Sequence, residues 1–120
     1  MHDKIYEMAA EAVSPTASEQ SLLDTLCTAA EAELSAQLRD GVTAESCGNI
    51  FIFAAALIAA AEMMLLRSVN QVEQFTAGEV SIRSGQGKAA EFAAALRQQA
   101  KALMAPFSDD SGFVFMGVQG

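Results

Sequence analysis

The feature that most limits this chain is the run from Ile50 to Leu66, which is apolar nearly all round and interrupted only by Glu62. A helix of that kind has no polar face to turn to water, so lipid or other protein must cover it on every side. A bilayer crossing takes about 20 consecutive apolar residues, and the unbroken stretch Phe51 to Ala61 supplies only about half of that. Alanine adds little to membrane insertion, and Glu62 would sit in the hydrocarbon at a cost of a few kcal/mol. The expected structure is therefore a central core helix enclosed by other helices and ending near Arg67 and Ser68, with no membrane span.

The flanking sequence supplies helices to do the enclosing. Asp3 to Val13 places Ile5, Met8, Ala9 and Ala12 on one side and Glu7 and Glu11 on the other. Ser14-Pro15 ends it, because proline disfavours the helical region for the residue before it. Thr16-Ala17-Ser18-Glu19 has the capping-box spacing and opens a second helix, with the stripe Leu22, Leu23, Leu26, Cys27, Ala30, Leu34, Leu38 closed by Gly41. Thr43 is placed to cap the central helix directly, with Val42 and Cys47 in the positions of a hydrophobic staple. Lys88 to Ala105 carries Phe92, Leu96, Ala100, Leu103 and Met104 inward, and Pro106 stops it. Between the last two helices the period changes to two: Val80 and Ile82 fall on one face, Ser81 and Arg83 on the other, and Gly78 precedes them as a turn. That pattern predicts a short strand or extended arm over 70–87, and Phe113-Val114-Phe115-Met116-Gly117-Val118 predicts a second extended segment in the tail 108–120. The whole is a single mainly α domain, 1–120, built as a small bundle of about four helices.

Charge and reactive residues narrow the function. From Met1 to Glu62 there are ten acids and two bases, net -8; from Met63 to Gly120 there are five of each, net 0. An acidic surface repels phosphates, which need Lys and Arg to displace counterions, so direct nucleic-acid binding is disfavoured and basic protein surfaces are better partners. The hydrophobic share of 52% is rich in alanine, which favours helix but fills little volume, so surplus apolar surface calls for a partner. His2 is the sole histidine and sits where termini fray, so no base stands ready beside a nucleophile. Cys27 and Cys47 have no CxxC spacing and read as buried small hydrophobes; with one histidine they make no zinc site. Glu7 and Glu11 lie one turn apart as in di-iron bundles, but the Glu-x-x-His partner motif is absent. No catalytic, cofactor or metal site is expected. Glu62 is expected at a rim or paired with Arg67 or Arg97, since an unpaired buried charge is costly. The N-terminal sequence has no basic region followed by an apolar run, so a signal peptide is not expected and the compartment reads as intracellular.

The segment VEQFTAGEVSIRSG, following an acidic helical body and an alanine-rich helix and leading into a further helix, resembles the small head-tail connector proteins of tailed phages and prophages. The likeness runs from about Thr16 to Ala105. Its most specific part is Gly78-Glu79-Val80-Ser81-Ile82, similar to the Gly-Asp-aromatic-Ser-Val segment of that family, with Val80 at the position where an aromatic is common. The resemblance implies a ring of identical subunits beneath the portal, joining head to tail, with portal and tail-adaptor proteins as partners and no catalysis, in the host cytoplasm or the virion. Val72, Phe75, Gly78, Glu79, Val80 and Ile82 in the arm, and Phe113, Phe115 and Val118 in the tail, are the candidate protein-contact residues. The alternative is a non-catalytic helical adaptor or regulatory module that holds a partner helix in an apolar groove near Phe51, Phe53 and Leu57. The pattern predicts that Leu34→Asp unfolds the bundle, whereas Ile82→Asp leaves folding intact and impairs assembly. Circular dichroism alongside size measurement checks this, and equal loss of helix in both variants contradicts it.

Overall fold

The computed structural model describes the backbone over 1–74 and 79–108, and side chains over 1–69 and 88–108. It is a bundle of helices: α1 His2–Val13, α2 Gln20–Ala36, α3 Ala44–Cys47, α4 Asn49–Gln74 and α5 Glu79–Met104. The central helix expected from the apolar run is α4, and α1, α2 and α5 pack against it. Phe51, Ala54, Ala55, Ala59, Ala61 and Met63 are fully buried, so α4 presents core residues on most of its circumference. The stretch Asn49–Val69 has the length and hydropathy of a membrane span, yet more than half of it is buried within the bundle. Each large side chain enclosed here, such as Phe51 or Met63, contributes about 1.5–3 kcal/mol; an alanine contributes about 0.8 kcal/mol for its one carbon. The alanines act chiefly by allowing close helix approach.

Three helices reach α4 from different sides. Helix α1 runs in the same direction: Lys4 and Asn49 border one depression, and Arg67 reaches the Ser14 carbonyl at the other end. Helices α2 and α5 run the opposite way, with Glu19 beside Arg67, Leu34 near Ile58, and Arg97 beside Glu62. The α2 stripe is as the sequence implies for Leu23, Cys27, Ala30 and Leu34, all buried, while Leu22 is turned outward. Both cysteines are free and buried.

Local signals set several boundaries and moved others. Glu19 accepts the Thr16 N–H at 3.0 Å, and Thr43 and Ser46 exchange side-chain and backbone bonds at 3.0 and 3.1 Å, so both expected caps form. Thr43, however, caps only the single turn α3. Gly48, at φ 64 and ψ -139, breaks the chain before α4, a conformation that only glycine adopts readily. Helix α2 ends at Ala36, ahead of Gly41. Gly41 instead sits at φ +85 in the turn closed by the Val42 N–H to the Arg39 carbonyl, at 3.0 Å. This turn docks on the end of α5: Arg39 N–H donates to the Phe107 carbonyl at 3.0 Å, and Leu38 forms an isolated antiparallel bridge with Ser108.

The extended arm is corrected. Helix α4 continues to Gln74 and α5 begins at Glu79, so Val72 lies on α4, and Glu79, Val80 and Ile82 lie in the opening turns of α5. A strand of three residues would need a neighbour to receive its backbone bonds, and the described residues offer none there; helix satisfies them locally. Gly85 and Gly87 lower helix propensity by about 1 kcal/mol each, less than several unpaired peptide groups would cost. Phe75, Gly78, Phe113, Phe115 and Val118 lie outside the described residues. The inward face of α5 is also shifted: Ala93, Ala100 and Met104 are buried, Leu96 and Leu103 are half-buried, and Phe92 points out.

Nothing stands within 4 Å of a Cβ added at Gly48, so backbone strain alone decides a substitution there. Gly48→Ala is expected to cost about 1–3 kcal/mol, read as a lowered urea midpoint with an unchanged slope.

Candidate protein-contact site

Along α4, Phe53, Ala56, Leu57, Ala60 and Met64 recur at helical spacing and form the floor of an apolar groove. Met8, Ala12 and Val13 of α1 make one wall; Phe92 and Leu96 of α5 make the other. The groove exists because α1 and α5 flank α4 without packing closely on each other. Its enclosed volume is about 160 Å³, which suits a few inserted side chains and falls below the several hundred Å³ of a small-molecule site. The relative exposures of Met8, Phe53 and Phe92 are 40%, 46% and 53%, so the largest apolar groups of the groove stand at its mouth. Of the residues the sequence suggested for a groove, Phe53 and Leu57 line it, while Phe51 is fully buried on the opposite side of the local turn. Helical periodicity alone puts Met8 and Phe92 in the core; their outward placement follows from the gap between α1 and α5, which no local pattern encodes.

A second apolar patch lies at the far end of α4, where Leu66 and Val69 are 38% and 45% exposed. At 100° per residue these two project from roughly the opposite side of the helix from the Phe53 to Met64 stripe.

Charged groups tie the helices at their crossings. Arg97 donates to Glu62 at 3.2 Å and to Glu33 at 2.7 Å, joining α5, α4 and α2. Glu62 therefore has the arginine partner expected of it and stands at a rim. Arg67 holds Glu19 with two bonds, Nε to Oε2 at 3.1 Å and Nη2 to Oε1 at 2.7 Å, and reaches the carbonyl of Ser14 at 3.4 Å. That last contact braces Ser14, which turns the chain at φ 48. The arginine bonds, with the Thr16 N–H second, hold the Glu19 carboxyl down to about 2.

His2 differs from the frayed terminal residue expected. Its Nε2 lies 2.7 Å from Asp24 and its Nδ1 3.4 Å from Glu31, so α1 is tied to α2. Both ring nitrogens can donate only as imidazolium. The bond to Asp24, then the bond to Glu31, raises its pKa above 6.5, although partial burial opposes this. Burial, reinforced by the nearby Asp24 and Glu31, pushes the Cys27 thiol up to about 11, which suppresses its thiolate. Burial raises Cys47 as well.

The chain matches no known protein family, no curated protein and no solved structure.

Glu19 and His2 contribute to stability in different pH ranges. Glu19 is depressed on folding, so its contribution is complete above its usual 4.5 and fades as pH falls toward about 2. His2 is raised, so its contribution is complete below 6.5 and fades as pH climbs through the folded value. Urea midpoints measured across pH are expected to lose the acid decline partly in Arg67→Met and the decline above pH 6.5 in His2→Gln. Identical pH profiles for wild type and His2→Gln contradict the imidazolium tether.

Proposed function

We propose that this chain is a structural, non-catalytic subunit that works by contacting other proteins, and that its setting is the head-tail junction of a tailed phage or prophage. The observation that carries this is the pair of apolar patches on opposite sides of α4, the groove from Phe53 to Met64 and the Leu66 and Val69 patch. A lone monomer needs neither, whereas a subunit bridging two neighbours, or a ring closed by head-to-tail contacts, needs two distinct surfaces. The acidic character of α1 and α2 supports the same role, since an anionic wall lets DNA pass without sticking. The resemblance of the Gly78 to Ile82 stretch supplies the setting, with portal and tail-adaptor proteins as partners and the host cytoplasm or virion as the place.

The chemistry of the described residues supports a non-catalytic role. His2 is engaged by two carboxylates, and the thiols of Cys27 and Cys47 are buried with raised pKa values. The alternative, a helical adaptor in another pathway, is favoured by the groove itself, and differs in the identity of its partner.

In light scattering at high concentration, alone and with a tailed-phage portal protein, the wild type is expected to form a defined oligomer or a portal complex. Leu66→Glu with Val69→Glu is expected to abolish it while retaining helix content. A strictly monomeric protein that ignores portal contradicts the connector role, and retrieval of a cytosolic regulator with no virion protein favours the adaptor.

A further inference from the structure

We propose that the groove between α1 and α5 receives an amphipathic α-helix of a different protein, one that carries lysine or arginine along the flank lying over α1. This rests on the protein-binding role above and names the chemistry of one of its partners. The floor runs from Phe53 to Met64, about 16 Å or three helical turns. A helix laid along it would present apolar anchors at i, i+3 or i+4, and i+7, the spacing by which helices seat in apolar grooves. Met8, Phe53 and Phe92 at the mouth are placed to close over those anchors.

Charge selects the occupant. Glu7 and Glu11 stand exposed on α1 beside the groove, in the depression that continues from it past Met8 and Phe53. Neither has an ion-pair partner among the described residues, whereas Glu19, Glu33 and Glu62 are all engaged by arginine. On the other wall, the exposed Lys88 lies one turn before Phe92. Lys4 lines the same depression at its Asn49 end, so the α1 wall carries two acids against one base while Lys88 marks the end of the other wall, which orients the basic flank of an incoming helix over Glu7 and Glu11. A second copy is a poor occupant of this groove, because its own helices α1 and α2 are acidic and would set like charge against Glu7 and Glu11.

The test uses the full-length protein and two fluorescein-labelled helical peptides of about 14 residues, four turns, with leucine anchors at the spacing above. One has a lysine flank and the other a glutamate flank. Fluorescence anisotropy is expected to show binding of the lysine peptide, binding of the glutamate peptide weaker by at least about tenfold, and weakening of the lysine complex as salt is raised. Phe53→Gln with Phe92→Gln should weaken the lysine peptide by about tenfold or more. Glu7→Gln with Glu11→Gln should weaken it several-fold, and Asp40→Asn with Glu45→Gln should leave it unchanged. Amide shift mapping on the wild type reads the site without any substitution, with changes expected in the α1, α4 and α5 wall residues. Equal binding of both peptides, equal loss in the Asp40 and Glu45 variant, or shifts mapping elsewhere overturns the proposal. So does a wild-type self-association removed by Phe53→Gln, which would make a second copy the occupant. Peptide binding without portal binding or oligomerisation would sink the connector role and leave the groove assignment standing. The reverse result would do the opposite.

Discussion

Everything in this bundle depends on the enclosure of α4. Its apolar residues occupy nearly the whole circumference, so no orientation gives it a solvated face, and the surrounding helices are held by the gain from covering it. Alanine at 54, 55, 56, 59, 60 and 61 determines how this is done. Small side chains bring neighbouring backbones close, and larger groups such as Ile5, Leu23, Leu34, Phe51 and Met104 fill the remaining spaces. The core is economical for the same reason, since each alanine contributes little area. Three helices cover α4 well on the sides they reach, and a strip between α1 and α5 stays open as the groove.

Electrostatics completes the arrangement without driving it. Arg97, Arg67 and His2 each join carboxylates from other helices, and they lie at crossings where hydrophobic contact is already present. Pairs as exposed as Arg97 with Glu33 and Glu62 contribute about 0–1 kcal/mol each. Their effect is better described as fixing register, because a one-turn slip of α5 would separate Arg97 from both partners. Glu19, Glu33 and Glu62 are engaged by arginine at helix crossings, whereas Glu7 and Glu11 on α1 have no ion-pair partner among the described residues. The groove and its charged margin are therefore products of one packing scheme.

Under the proposed protein-contact role, specificity would come from surface and not from reactive groups. The single histidine is consumed by a structural tether, and the buried thiols are held protonated. Among the described residues, the outward apolar area includes the groove mouth and the Leu66 and Val69 pair, with Glu7 and Glu11 beside the groove. In an assembly, apolar anchors supply affinity and the acid margin discriminates among partners, since like-charged surfaces are repelled before contact.

The sequence by itself determined the helical class, the identity of the central helix, the capping box at Thr16, the capping role of Thr43 though not the helix it caps, the burial of Leu23, Cys27, Ala30 and Leu34, and an arginine partner for Glu62. These follow from local periodicity, from capping chemistry, and from the cost of leaving charge or apolar surface unmatched, all of which act over a few residues. The tertiary structure decided what local signals left open. Val80 and Ile82 alternate as in a strand, yet belong to helix α5, and no partner strand stands there among the described residues to accept their backbone bonds. Met8 and Phe92 sit at core-like helical positions but stand at a groove mouth, since α1 and α5 do not meet across α4. His2 looked like a loose terminal residue until the fold brought Asp24 and Glu31 to its two nitrogens. In each case the deciding energy belongs to a contact between residues far apart in the chain, and only the assembled bundle specifies which of those contacts exist.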